Sequence, residues 1–259
     1  MKTMDNTIKY YELLMKYDDI SDYKKYELPE GFHYEMFKDG DEIDWVNIHI
    51  ESGEFTSIDR GLKYFHMFYD SFIEELNKRC IFIVDNDSLE KVGTATVSLL
   101  KEKEFGYDAA IDWVAIKKSY QGKGLSKPLI SEFMRVANEL GHKGLILHTQ
   151  TTTWLAAKIY LDYGFLVLNK EEVEGWNILN TLTHHEKLKI FDEMALDEIF
   201  DKRNVLIEKK LVEMYGTDEF NYEVWYKDGL HNVYTYVNGK SYEYEYFYDG
   251  SDIKLIDVK

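Results

Sequence analysis

Positive charge and cysteine are scarce in this sequence of 259 residues. Lysine and arginine together number 31 against 48 acidic residues, and the formal net charge is −17. A field of this sign repels phosphate backbones, so we expect no nucleic-acid partner. It would instead attract cationic small molecules or basic peptides, although an acidic surface also serves solubility alone. The single cysteine, Cys80, cannot form an internal disulfide, which fits a reducing cytosol.

Long apolar runs are missing as well. No run of about 18 apolar residues occurs, so the sequence predicts that the protein does not span a membrane. The N-terminal residues contain neither an apolar core segment nor a small-residue cleavage site, so we expect no secretory signal. Hydrophobic residues make up 45% of the chain, which is typical of a folded protein. Together these features predict a cytoplasmic protein.

The spacing of apolar residues changes along the chain. Residues 1–30 are polar and rich in tyrosine, and we interpret them as a leader that ends in a turn. From about residue 30 to residue 168, helical and alternating spacings follow in the order β-α-α-β-β-β-α-β-α-β. The sequence therefore predicts an α/β (α+β) domain in 1–168, with a mixed central sheet flanked by helices.

The last part of the chain has a different pattern. Apolar residues between Leu196 and Met214 predict one long amphipathic helix. Four alternating segments follow, and the turns that join them are Asp228-Gly229, Asn238-Gly239 and Asp249-Gly250. Such turns between alternating segments are typical of hairpins. We therefore predict a C-terminal helix plus an antiparallel β-meander module in 195–259, with a helical connector in 169–194.

Four tyrosines of the meander share one face of a predicted strand: Tyr242, Tyr244, Tyr246 and Tyr248. The simplest interpretation is a half-buried sheet face. Two alternatives stay open, namely an aromatic wall for a hydrophobic or cationic acceptor and the surface of a homodimer.

The stretch QGKGLS at 121–126 lies between a predicted strand and a predicted helix. Its two glycines would let backbone amides approach a ligand closely, and the helix N-terminus adds partial positive charge. Such a turn suits a pyrophosphate. It lacks the spacing of a nucleotide P-loop and of a dinucleotide turn, and by itself it also fits a plain helix start.

Two motifs together are more specific. The pattern Q-x-x-G-x-S at 121–126 resembles the (Arg/Gln)-x-x-Gly-x-(Gly/Ala) pyrophosphate loop of the GNAT superfamily of acyl-CoA N-acyltransferases. The pattern A-x-x-x-Y-x-x-x-G-F at 156–165 resembles that family's second signature. The order of elements from about residue 30 to 168 is similar to the family's core. The resemblance implies a GNAT-like fold over roughly two thirds of the chain.

The resemblance implies that acetyl-CoA is the co-substrate. Amides of the 121–126 loop would hold the pyrophosphate. The preceding strand would pair with the pantetheine arm, and an amide near Ile116 would polarise the thioester carbonyl. Thr153 stands where the family often has asparagine. The implied binding residues are Val114, Ala115, Ile116, Gln121, Gly122, Lys123, Gly124, Leu125, Ser126, Thr153 and Tyr160.

The resemblance also implies a reaction, in which a neutral amine attacks the thioester directly in a ternary complex. Tyr160 would protonate the departing CoA thiolate, and Cys80 would have no catalytic part. The family's strand glutamate falls here at Ala110. Asp112, two residues along on the same face, is therefore the candidate general base, and Asp108, two residues back, is the alternative. The simpler interpretation is a solvated aspartate at a strand end.

The histidines of the sequence give weaker indications of function than these residues. His148 ends a buried-type strand, where a structural role is expected and a catalytic role is the alternative. The adjacent residues His184, His185 and Glu186 point to different helix faces and have no second ligand cluster, so we predict no metal site.

The sequence thus predicts an N-acetyltransferase that acts on the amine of a small molecule, with a peptide amine left open. The alternative is a non-catalytic acyl-CoA-binding sensor or interaction protein whose C-terminal module recruits a partner.

Overall fold

The computed structural model describes residues 4–227 and 230–258. Its larger sheet has seven strands in the order β2-β3-β4-β5-β6-β1-β7. All neighbours in it are antiparallel except β5 and β6, which run parallel. The strands are β1 (Glu12–Tyr17), β2 (Phe32–Met36), β3 (Cys80–Asp85), β4 (Lys91–Glu104), β5 (Tyr107–Ile116), β6 (Leu145–Gln150) and β7 (Leu166–Val167). The predicted mixed α/β architecture is therefore confirmed.

Helices cover both faces of this sheet. They are α1 (Glu42–Ser52), α2 (Ile58–Tyr69), α3 (Leu76–Arg79), α4 (Ser126–Glu139), α5 (Trp154–Tyr163), α6 (Val173–Thr183), α7 (Leu196–Ile199) and α8 (Lys202–Tyr215). Along β3, Ile81 packs into the core on the α4 side, whereas Phe82 packs into the core on the α1–α2 side. Successive side chains of a strand point to opposite faces, so one strand serves both cores. No helix in the described ranges is both long enough and apolar enough to span a bilayer.

The first thirty residues are not only a leader, because they contain a strand of the larger sheet. Strand β1 lies between β6 and β7 and is antiparallel to both. Leu13 and Met15 alternate with more exposed neighbours and are fully buried. The partners of β1 in the sheet are more than a hundred residues away in sequence, for example Leu147 opposite Met15. Local composition therefore could not indicate this strand.

Strands β5 and β6 separate soon after they pair. Their parallel register holds only at Ala110 with Ile146 and at Ile111 with Leu147. On its other side β5 has a bulge, where Trp113 and Val114 together face the single residue Ala95 of β4. Trp113 has a φ of 52° there. A bulge leaves part of the backbone unpaired and bends the strand. Beyond Ile111 the edge of β5 that faces β6 is no longer paired with β6.

The prediction of one long C-terminal helix is wrong, because the helix is interrupted between α7 and α8. Phe200 pairs with Ile8 in an isolated bridge, and the Lys9 N–H donates to the Ile199 carbonyl at 2.9 Å. Asp201 then accepts from the Arg203 N–H at 3.0 Å and caps α8. Contact with the N-terminal segment therefore interrupts a pattern that is continuous in sequence.

The meander forms a separate four-stranded antiparallel sheet in the order β11-β10-β9-β8. Its strands are β8 (Asn221–Lys227), β9 (Leu230–Val237), β10 (Lys240–Tyr248) and β11 (Ile253–Asp257). The turn at Asn238-Gly239 has positive φ at both residues, 51° and 76°, as a two-residue hairpin requires. The predicted turn at Asp228-Gly229 lies outside the described residues.

The tyrosine face of β10 packs against α8. Tyr244 and Tyr246 are buried with Ile207 and Leu211 of that helix. The half-buried sheet face, which is the simplest interpretation of the sequence, is therefore what the structure has.

Candidate active site

Two cavities meet at the gap between β5 and β6. The first, of about 400 Å³, borders the 121–126 loop and is called the loop cavity here. The second, of about 420 Å³, contains several carboxylates and is called the acidic cavity. Five residues line both and so mark the junction: Glu54, Val114, Thr153, Ala156 and Tyr160.

Most of the residues predicted to bind a cofactor lie around the loop cavity. Three of the predicted set do not line it, namely Lys123, Gly124 and Leu125. Lys123 places its ammonium 4.2 Å from the centre of the Tyr120 ring, and the Leu125 side chain is buried in the core. The predicted residues that do line it are Val114, Ala115, Ile116, Gln121, Gly122, Ser126, Thr153 and Tyr160.

The loop presents backbone rather than side chains. Gly122 and Gly124 have φ values of 77° and 80°, which other residues rarely adopt. The Gln121 side chain turns back and donates to the Ile116 carbonyl at 3.0 Å. Helix α4 begins at Ser126 without a side-chain cap, so its first amides keep their hydrogen-bonding capacity. Such a turn can bind an anion through the main chain.

Thr153 stands at the start of α5 and is buried. Its hydroxyl donates to the Gln150 carbonyl at 3.2 Å and lies 3.4 Å from the Thr149 hydroxyl. The side chain is therefore held beside the junction by the protein's own contacts.

Tyr160 lies on α5 at the junction and is only 8% exposed. Its ring packs edge-on against Phe165, with 5.6 Å between ring centres. Burial raises the pKa of the phenol, and the negative charges of Glu54 and Asp112 raise it further. The hydroxyl is therefore protonated at neutral pH and can act as a proton donor.

Glu54 is the functional candidate that the sequence analysis missed. It lies between α1 and α2, and its N–H donates to the His49 carbonyl at 2.8 Å. Burial raises the pKa of its carboxyl to about 7, with a further contribution from the charge of Glu223. A carboxyl that titrates near neutral pH is suited to accept a proton. No spacing or motif marks this residue, because only the folded chain brings it to Tyr160.

Asp112, the candidate base from sequence, also lines the acidic cavity. Burial raises the pKa of its carboxyl, while a hydrogen bond from Ser98 and the charge of His148 oppose the rise. Asp108 is exposed and pairs with His142 at 3.0 Å, and it is not among the residues that line the acidic cavity. Of the two aspartates, only Asp112 therefore lies at the acidic cavity.

His148 lines the acidic cavity between two carboxylates. Its Nδ1 lies 2.9 Å from Glu12, and its Nε2 lies 3.4 Å from Glu104. Burial lowers the pKa of the imidazole, but the hydrogen bond to Glu12 and the nearby carboxylates outweigh this effect, so the pKa is raised. The raised pKa favours the charged form of the imidazole beside these two carboxylates.

Aromatic rings and a buried histidine form another wall of the acidic cavity. Trp113 packs edge-on against Phe68 and His49, with ring centres 5.1 Å and 5.3 Å apart. His49 is 1% exposed. Burial lowers its pKa to about 3, so the ring is neutral. The cavity thus combines carboxylates, a neutral imidazole and aromatic faces.

No metal cluster is present among residues 4–227 and 230–258. His184 pairs with Glu193 at 3.0 Å, whereas His185 faces Asp162 at 3.4 Å. Cys80 is fully buried, and burial raises the pKa of its thiol to about 11.

Residues 43–165 match the model of the Acetyltransferase (GNAT) family. This part of the chain is a GNAT acetyltransferase domain. The matched range includes the 121–126 loop, the bulged strand β5 and both Glu54 and Tyr160. The match supports acyl transfer in general as the activity of this GNAT domain.

One solved structure supports the same fold. A GCN5-related N-acetyltransferase from Sphaerobacter thermophilus is 19% identical with a TM-score of 0.50, over 63% of this chain and 50% of that one. A GNAT-family acetyltransferase from Colwellia psychrerythraea is 15% identical with a TM-score of 0.46, over 63% and 55%. The chain therefore spans about half the length of these structures. No curated protein matches the chain.

Proposed function

We propose that the protein is an N-acetyltransferase that moves an acetyl group from acetyl-CoA to the amine of a small molecule. The observation that carries this proposal is the junction of the two cavities, where Glu54 and Tyr160 both lie. A carboxyl with a pKa of about 7 beside a protonated phenol gives one group to accept a proton and another to donate one.

The loop cavity fits an acyl-CoA. Its open glycine turn and uncapped α4 supply backbone amides for a pyrophosphate, and the bulged end of β5 offers backbone groups for an amide-rich arm. Thr153 is a further polar contact at the junction. When bound, acetyl-CoA supplies an acetyl group activated as a thioester.

The acceptor would bind in the acidic cavity. An aliphatic amine is mostly an ammonium ion at neutral pH and would be attracted by Glu12, Glu54 and Asp112 and by the face of Trp113. Glu54 takes one proton from it and leaves a neutral amine. The carbon–nitrogen bond then forms, the carbon–sulfur bond breaks, and Tyr160 gives its phenolic proton to the thiolate. The acylated nitrogen releases its second proton, which restores the phenol and leaves a neutral amide. A volume of about 420 Å³ favours a small molecule over a folded protein.

Calorimetric titration with acetyl-CoA tests the first half of the proposal. The variant Gly124→Glu should lose binding, because it places a carboxylate and a strained backbone in the loop, where φ is 80°. Gly141→Glu is the matched control, since it adds the same charge at a similar φ of 90° beyond the other end of α4. We expect the parent and the control to bind and Gly124→Glu to fail.

A screen of amines, read by release of free thiol, tests the second half. Turnover with one class of small amine is the expected result. Binding of acetyl-CoA without turnover of any amine would contradict the enzymatic proposal and favour the non-catalytic acyl-CoA sensor. Equal failure of binding in all three proteins would contradict the loop assignment itself.

A further inference from the structure

One face of the C-terminal sheet packs on the segment that carries Glu54. Asn221 of β8, Tyr236 of β9 and Ser241 of β10 lie side by side in one row across three strands. Their side chains share a face, opposite the face that contacts α8. Tyr236 packs against the core formed by α1 and α2.

The outer two members of this row bracket the Glu54 segment. The Asn221 side-chain amide donates to the carbonyl of Ile50, at the end of α1. The Ser241 hydroxyl donates to the carbonyl of Thr56 at 3.2 Å, just before α2 begins. The short connection that contains Glu54 is therefore tied to the C-terminal sheet on both sides.

A partly buried ion pair lies beside these two tethers. Arg60 of α2 and Glu223 of β8 are 2.6 Å apart, and their side chains are only 21% and 20% exposed. The guanidinium also lies over two rings of the C-terminal sheet, 4.4 Å from the centre of Tyr234 and 5.0 Å from that of Trp225. Arginine held by a carboxylate and two aromatic faces fixes α2 firmly against the sheet.

We propose that the C-terminal sheet is a working part of the acetyl-transfer site, in which Asn221 and Ser241 hold the Glu54 segment beside Tyr160 and Glu223 sets the charge around Glu54. Asn221, Ser241 and Glu223 are positioning residues, since none of them lines the acidic or the loop cavity. The kinetic part of the proposal rests on the proposed function, whereas the structural part does not.

The charge of Glu223 acts on Glu54 in a defined direction. A second carboxylate nearby disfavours ionisation, so Glu223 raises the pKa of Glu54, in addition to the larger effect of burial. Arg60 partly offsets this field because it pairs with Glu223. The titratable groups that line a cavity together with Glu54 are Glu12, His49, Asp112, His148, Lys158, Tyr160 and Asp162. Tyr10 and Glu223 also interact with it through charge, and Arg60 acts through its pair with Glu223.

Hydrogen exchange in the ligand-free protein tests the tethers. The amides of Glu54 and Phe55 donate to the His49 carbonyl and report on the segment. Asn221→Ala and Ser241→Ala should each make them exchange about tenfold faster, the effect of one lost hydrogen bond. Glu245→Ala, an exposed position of β10 away from the segment, should leave them unchanged. Unchanged exchange in both tether variants would overturn the positioning role.

The pH dependence of turnover tests Glu223. Glu54 must be deprotonated to act, so the acidic limb of the rate profile follows its pKa. Glu223→Gln should move that limb to lower pH, Glu223→Asp should restore it in part, and the charge-matched control Glu245→Gln should leave it in place. A limb that shifts equally in Glu245→Gln, or in neither variant, would overturn the electrostatic role.

The two proposals fail in distinguishable ways. Carbon-13 NMR titration of the Glu54 carboxyl, assigned with Glu54→Gln, measures the effect of Glu223 without any substrate. A lower Glu54 pKa in Glu223→Gln supports the role of the sheet even if no amine is turned over. An unchanged pKa in that variant counts against it even if the enzyme is active.

Discussion

Glu54 and Tyr160 line the same two cavities at the point where these join, although they come from opposite faces of the central sheet. The charge of Glu54 raises the pKa of Tyr160, so the two groups are close enough to interact. The phenol stays protonated while the carboxyl titrates near pH 7. Because the two pKa values differ, replacement of each residue should change the pH dependence of turnover in a different way.

Replacement of Tyr160 by Phe removes the phenolic proton and little else. We expect kcat to fall by about a hundredfold or more, because the thiolate must then leave without a general acid. The dissociation constant for acetyl-CoA should change little, since the ring and its contact with Phe165 remain. Steady-state kinetics and calorimetry on the same preparations measure both. Unchanged kcat with a confirmed acceptor would exclude Tyr160 as the acid.

Glu54→Gln and Asp112→Asn separate the two candidate bases. For the parent, kcat/KM should rise with pH and level off above about 7, where the Glu54 carboxyl is ionised. Glu54→Gln should lower kcat/KM by about a hundredfold at pH 7.5 and abolish this limb. Asp112→Asn should keep the acidic limb and lower kcat/KM by less than Glu54→Gln does. The opposite ranking of the two variants would make Asp112 the base.

The raised pKa of Glu54 also has a cost in stability. The Glu54 carboxyl has a pKa of about 7 in the folded protein but of about 4.3 in the unfolded chain, so the unfolded chain loses this proton at lower pH. The free energy of unfolding therefore falls as pH rises from about 4.3 to 7. Glu54→Gln has no carboxyl to titrate, so its free energy of unfolding should exceed that of the parent at pH 8 by on the order of 2 kcal/mol. At pH 5 the two proteins should differ little. Urea unfolding at both pH values measures the difference, and an equal difference at both would contradict the assigned pKa.

Gly61 sets the distance between α1 and α2, which flank the acidic cavity. A Cβ at this position would overlap Cγ1 of Val46 and lie 3.0 Å from its Cγ2. We expect Gly61→Ala to destabilise the protein by about 1–3 kcal/mol despite its better helix propensity. Lys63→Ala, on the exposed face of α2, should change the free energy of unfolding by less than about 0.5 kcal/mol. In the Gly61→Ala background, Val46→Ala should cost less than it does in the parent, as a double-mutant cycle in urea would show.

Local patterns in the sequence predicted those parts of the protein whose structure depends on near neighbours. The helical spacing of α4, the alternation of β8–β11 and the Asn238-Gly239 turn are all set within a few residues. The two glycine-containing motifs belong to this class, because a loop that presents its backbone needs glycine where φ is positive. Eight of the residues predicted to bind a cofactor line the loop cavity, whereas Lys123, Gly124 and Leu125 do not. Their role in binding stays a prediction.

Only the tertiary structure decided the rest. Strand β1 was hidden because its partners in the sheet come from the distant strands β6 and β7. Glu54 looks like an ordinary acidic loop residue, and its unusual proton affinity comes from burial beside Tyr160 and Glu223, which lie far along the chain. The contact between the C-terminal sheet and the Glu54 segment likewise joins residues that are far apart in sequence. Desolvation and charge proximity depend on what surrounds a group in space, and a one-dimensional pattern does not contain that information.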